Sequence, residues 1–244
     1  MHLISPLLAK QGFSINVLLN EAATHGAIKN GFEKLENDVQ PGDIVYIHLS
    51  GHGQVVEDED DDEDDGWDEA FIPYDAERSY REEGYHGENH LLDDELNGYL
   101  NVIRRKAGEN GIVYVVIDAC HAGSSARDVE DEDTIYIRGT EIGFSKSGKT
   151  YDLPRDKRDK RGNIRVYSEK GMARICILEA CRSDETNAEI KQNGYYYGPL
   201  SYYTSQQLLT MPLSFDTNWT EDVRVNMKKD QRLRIQHMVI ESSE

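Results

Sequence analysis

The chain has 244 residues, enough for one α/β domain with a sizeable core. Its formal charge of −19 at pH 7 makes nucleic acid a poor partner and favours divalent cations and peptides carrying Lys or Arg. With a mean hydropathy of −0.69, no apolar run nears the ~18 residues of a membrane helix, and three cysteines build no disulfide framework. No secretory signal is visible in the opening MHLISPLLAKQGF, so a reducing, cytoplasmic setting is expected, with a monomer as the default.

The segment His2–Gln11 reads as a helix, and SINVLL (Ser14–Leu19) alternates like a short strand. Thr24–Asn37 has helical apolar spacing at Ile28, Phe32 and Leu35, with Thr24 placed to cap it. After Pro41-Gly42, DIVYIHLS (Asp43–Ser50) is a near-continuous apolar run, which predicts a strand buried on both faces. SGHGQ follows, then the acidic run Glu57–Asp65, read as a solvated loop, and the short strand-like EAFIPY (Glu69–Tyr74). LLDDELNGYLNVIRRKAG predicts a helix with Asp93 or Asp94 at its start and Gly108 past its end. GIVYVVIDAC (Gly111–Cys120) is a second buried strand. From Ser124 to about Met172 the chain is polar, charged and dotted with glycine, a linker loop by composition. ARICILEAC (Ala173–Cys181) is a third buried strand, Pro199–Leu209 a helix, and RIQHMVIES a closing strand. Alternating helices and buried strands predict an α/β fold, a mostly parallel central sheet with helices on both faces. We read one domain over 1–244, divided into 1–123, the linker 124–172, and 173–244.

Two of the buried strands end alike. One runs into Ser50-Gly51-His52-Gly53, the other into Asp118-Ala119-Cys120-His121-Ala122-Gly123. Sites in open α/β sheets form beyond the carboxyl ends of strands, so neighbouring strands would bring His52 and Cys120 to one crevice. A thiolate is a nucleophile, and a nearby imidazole can take its proton and later protonate a leaving amine. The Gly53 and Cys120 amides are then oxyanion donors. A buried cysteine is often mere core, and a histidine after a strand often only a loop residue. Cys181, in EACRSDE, also follows a strand and is the rival nucleophile. His121 is expected to diverge from Cys120, and His48 to be packed within its strand.

His-Leu-Ser-Gly-His-Gly-Gln (His48–Gln54) and Ile-Asp-Ala-Cys-His-Ala-Gly-Ser-Ser (Ile117–Ser125) resemble the two catalytic motifs of metacaspases and related caspase-like peptidases. Asp65–Asp75, Leu91–Leu96, Glu179–Glu189 and Gly198–Tyr203 resemble further family segments, in order, across almost the whole chain. The resemblance implies a caspase-like three-layer sandwich and a cysteine endopeptidase with His52 as base, Cys120 as nucleophile and Gly53 as an oxyanion contributor. It places Asp118 at the floor of the pocket for the substrate residue before the cut bond, where a carboxylate favours Arg or Lys. True caspases carry Gln-Ala-Cys and an Arg-lined pocket, so specificity for aspartate is not expected from Asp-Ala-Cys.

Metacaspases often require calcium, and Asp68, Asp93, Asp94 and Asp128 fall near the matching ligand positions, with oxygens that suit the ion. Asp93 and Asp94 could instead only cap a helix. Self-processing is expected within Ser124–Met172, around Arg155–Arg161. Two departures stand out. The family's opening strand and an Asn-Asp loop that often supplies a second pocket acid are missing, which leaves a sheet edge open. Ala122 also replaces the usual serine. Two competing readings are an inactive caspase-homology module that binds partners and a calcium-binding acidic protein.

Overall fold

A computed structural model describes residues 3–58, 63, 66–120, 136–140, 142–151, 166, 169–182 and 185–243. The chain opens with α1 (Ser5–Lys10). Residues 14–19, expected as a strand, form none; they run beside the sheet and line a groove of about 1060 Å³ together with the first strand. Alternation alone could not hold them in a ladder, because only pairing satisfies an extended backbone. Thr24 does cap α2 (His25–Asp38): its Oγ1 accepts the Ala27 N–H at 3.2 Å.

The central sheet contains β1 (Ile44–Ser50), β5 (Ile112–Asp118), β6 (Arg174–Glu179) and β9 (Val239–Ser242), in that spatial order. The first three are parallel and β9 is antiparallel to β6. A smaller antiparallel sheet joins β2 (Gly53–Glu57), β3 (Trp67–Phe71) and β4 (Leu91–Leu92), and leads into α3 (Asp93–Ala107). The hairpin of β7 (Ile190–Gln192) and β8 (Tyr195–Tyr197) precedes α4 (Pro199–Thr210) and α5 (Asn218–Lys229).

Side chains alternate across a strand, so each face of the sheet collects its own core. Val45, Ile47, Val113, Val115 and Ile177 pack with Ile28 and Phe32 of α2 and Leu100 and Ile103 of α3. Tyr114, Val116, Cys176 and Leu178 pack on the other face with Leu8 of α1, Leu200 and Leu208 of α4, and Trp219 and Val223 of α5. The result is the expected three-layer sandwich around a mostly parallel sheet.

Two local expectations change. β1 is not buried on both faces: it is an edge strand whose residues alternate between buried and half-buried, while the interior strand β5 is buried at every position. Asp93 and Asp94 do not cap α3. Leu92 holds the cap position without a side-chain bond, and the two carboxylates sit in the first turn, where they complement the helix dipole. Gly108 ends α3 at φ 66°, as its position predicts.

Candidate active site

Parallel pairing aligns β1 and β5 residue by residue, ending with Ser50 opposite Asp118. The two motif loops therefore leave the sheet at the same level. Gly51 stays tied to the sheet end, its N–H donating to the Asp118 carbonyl at 3.3 Å. A Cβ at Gly51 would stand 2.8 Å from the Phe71 ring, so this turn needs glycine for space. Gln54 is fully buried and ties the loops around the crevice together: its Nε2 donates to the carbonyls of Arg78 and Ile142.

The Cys120 and Gly53 N–H groups, expected as oxyanion donors, converge on a single oxygen. Both donate to the Arg138 carbonyl, at 2.9 and 3.3 Å. That is the geometry that stabilises charge on a carbonyl oxygen. Arg138 belongs to a short segment, 136–140, lying over the motif loops. Its guanidinium is largely buried: Nη1 donates to Ser50 Oγ at 2.8 Å and to the Asp118 carbonyl at 3.2 Å, and Nη2 pairs with Glu189 at 3.2 Å.

Cys120 is 1 % exposed and Cys181 3 %, and the two pack together. Both thiols donate to the Glu185 carbonyl, Cys120 at 2.9 Å and Cys181 at 3.6 Å. The Cys181 thiol is pushed well above the ordinary range by its hydrogen bond to Cys120, then by burial and nearby negative charge. It keeps its proton and makes a poor nucleophile. His52 has part of its ring in solvent. Partial burial holds its pKa below the usual imidazole range, followed by the Arg78 charge, while a hydrogen bond to the Gly139 backbone pulls the other way. It is therefore neutral, the form a base requires.

Asp118 is fully buried beneath this crevice. Its Oδ1 accepts from Asn187 Nδ2 at 2.9 Å and its Oδ2 from the Ser201 N–H at 2.7 Å. Gln236 Nε2 fixes Asn187 in turn, at 2.9 Å from its Oδ1. His48 is packed below: Nδ1 lies 2.8 Å from the Tyr46 hydroxyl and Nε2 2.8 Å from Ser201 Oγ. Burial pushes its pKa down to about 4, against the pull of Asp118.

The acidic positions near α3 lie together electrostatically. Burial raises the Asp93 carboxyl to about 7, and repulsion from Asp94, Asp68 and Glu63 adds to the shift. Glu63 belongs to the run read as a solvated loop. The oxygens suit calcium, but among the described residues no three His, Cys, Asp or Glu side chains converge on one ion position. Asp128 and the basic positions Arg155–Arg161 lie outside the described residues. Among the described residues no helix is long and apolar enough to cross a membrane.

Sequence reasoning missed Ser50 and Glu189 as the groups around the Arg138 guanidinium. The aligned ends of two adjacent motif strands could have exposed Ser50. Nothing local marks Glu189, which comes from the far side of the linker.

Fold and site together define a caspase-like α/β domain. The metacaspase, peptidase C14 domain family matches residues 7–129, half of the chain, and the chain belongs to that family. It is similar to Metacaspase-1B of Aspergillus fumigatus, with 26% identity across 78% of this chain and 49% of that protein. Metacaspase-1 of Candida albicans is also 26% identical, across 73% and 44% of the two chains. The chain thus spans about half the length of these curated relatives. Among solved structures, protein GSU0716 from Geobacter sulfurreducens shares the fold, with a TM-score of 0.62 and 19% identity, covering 98% of this chain and 81% of that one.

Proposed function

We propose that the chain is a cysteine endopeptidase that cuts peptide bonds after Arg or Lys, with Cys120 as nucleophile and His52 as base. One observation carries the reading: two main-chain N–H groups, one of them from Cys120 itself, meet at a single carbonyl oxygen. In the reaction His52 takes the thiol proton, sulfur adds to the substrate carbonyl, and the Gly53 and Cys120 amides hold the resulting oxyanion. His52 then protonates the departing amine, and water releases the acid. Preference for a basic residue is supported by the Ser50 hydroxyl, the Glu189 carboxylate and the Asp118 main-chain carbonyl gathered around one guanidinium, with the Asp118 carboxylate buried beneath them on Asn187 and Ser201. Three cysteines outside any disulfide support work in a reducing, cytoplasmic setting on protein substrates.

Calcium activation and self-processing within 124–172 belong to the same reading. Calcium is supported only by the repulsion that Asp94, Asp68 and Glu63 exert on Asp93, which a cation nearby would relieve; the four carboxylates do not converge on one ion position as they stand. The test is turnover of fluorogenic peptides with Arg, Lys or Asp before the reporter, with calcium and with chelator. Rapid turnover of Arg and Lys peptides, lost in Cys120→Ala, is expected. No turnover under any condition would favour a binding module instead, and preference for Asp would overturn the pocket assignment.

A further inference from the structure

The segment Tyr136–Thr140 is held in the crevice in the manner of an extended peptide. Arg138 donates its N–H to the Asn187 carbonyl at 2.9 Å, and Glu189 donates to the Tyr136 carbonyl at 2.7 Å, with Ile137 bridged antiparallel to Ala188. This is strand addition, in which main-chain bonds hold the peptide and one pocketed side chain selects it. Beyond Arg138 the chain continues along β2. Gly139 bridges to Gly53 in parallel, and Phe144 exchanges main-chain bonds with Val55 and Glu57 at 2.8 Å each.

Arg138 therefore occupies three positions at once. Its carbonyl oxygen takes both oxyanion donors, its guanidinium fills the pocket beside Ser50 and Glu189, and its peptide bond leads to Gly139, whose backbone is hydrogen-bonded to His52. We infer that Tyr136–Thr140 is the enzyme's own substrate, bound in place for cleavage of the Arg138–Gly139 bond. The inference rests on the peptidase reading and names the bond that self-processing cuts, which differs from the Arg155–Arg161 region favoured by composition alone.

Cys120, its proton passed to His52, adds through sulfur to the Arg138 carbonyl carbon. The bond to the Gly139 nitrogen breaks, and that nitrogen takes the proton from His52. Water then displaces the sulfur, leaving an Arg138 carboxylate, a new Gly139 amino terminus and a restored thiol. Before this happens the Cys120 thiol donates to the Glu185 carbonyl at 2.9 Å, so it must first turn away from that acceptor. Until the bond is cut, the tethered segment competes with every external peptide at the effective concentration of a short linker, of order millimolar.

The experiment is intact mass spectrometry of the purified full chain after incubation with calcium, alongside turnover of an external Arg peptide. Wild type should yield the two fragments 1–138 and 139–244, and Cys120→Ala should stay whole. Arg138→Ala should remain uncut at this bond and turn over the external peptide at once, with an initial rate about tenfold above that of uncut wild type. The wild-type masses decide the question even if a variant fails to fold. Turnover of the external peptide by a chain that stays whole, or is cut only elsewhere, overturns this inference and leaves the peptidase reading intact. A chain that cuts neither itself nor the peptide removes both.

Discussion

Gly198→Ala is the substitution that most sharply tests the role proposed for the buried Asp118 carboxylate. Gly198 has φ −62°, a conformation alanine adopts freely, so any effect must be steric. A Cβ there would stand 2.5 Å from Cγ and 2.7 Å from Oδ1 of Asp118, and closer still to Oδ2. The carboxylate cannot swing aside without releasing the Ser201 N–H, Asn187 Nδ2, or both. Each such charge-assisted bond is worth about 1.5–3 kcal/mol, and overpacking a core costs ~1–3 kcal/mol by itself. Relaxation shares these costs, so a loss of about 3 kcal/mol is expected. Gly98→Ala is the control. Gly98 is an exposed interior position of α3 with open space around its Cβ, and alanine should stabilise it by up to about 1 kcal/mol. Urea unfolding measures both, read as midpoint shifts at constant slope. Turnover of an Arg peptide by Gly198→Ala should also fall at least tenfold. A Gly198→Ala chain with the wild-type midpoint and an unchanged KM would refute the role given to Asp118.

Further outcomes follow from individual groups. Cys120→Ala and His52→Ala should each lower kcat/KM by roughly 10³-fold or more, whereas Cys181→Ala should keep most activity, as steady-state kinetics will report. Because the Arg78 charge lowers the His52 pKa, Arg78→Gln should move the acid limb of the kcat/KM profile to higher pH; an unmoved limb removes that coupling. His48 has a folded pKa of about 4 against ~6.5 unfolded, so the unfolded chain takes up the proton first. Its contribution, up to about 3 kcal/mol, is present above pH ~6.5 and lost as pH falls toward 4. His48→Gln should flatten stability across that window, measured by urea midpoints. Asp93→Ala with Asp94→Ala should abolish any calcium-dependent rise in thermal stability, while chelator should leave the double variant unchanged.

The parts of the fold legible in the sequence were those with strong periodicity or a clear cap. Thr24 marked the start of α2, Gly108 the end of α3, and the apolar runs before Ser50, Cys120 and Cys181 marked three sheet strands. Failures came where tertiary context decides. Ser14–Leu19 has a strand's alternation but no partner to pair with. β1 reads like β5, yet its place at the sheet edge leaves alternate side chains half-buried. β2 went unseen because Gly53–Glu57 merges into the acidic run, and the β7–β8 hairpin and α5 lack a strong local signal. The placement of His52 and Cys120 just beyond the ends of adjacent strands was legible because glycine-flanked motifs follow both apolar runs, whereas Asp118 was singled out only by the family resemblance. Glu189 was not visible, since only the folded chain brings the residue after Ala188 up to the guanidinium at Arg138.

The central claim is that one thiol of three is the nucleophile. It is tested most directly by treating the chain with a peptidyl-arginine acyloxymethyl ketone and mapping the adduct by peptide mass spectrometry, in wild type and in Arg138→Ala. The account predicts a single adduct, on Cys120, that forms faster in Arg138→Ala and disappears in His52→Ala. An adduct on Cys181 or Cys176, or labelling of Cys120 that is indifferent to the arginine and to His52, would contradict it.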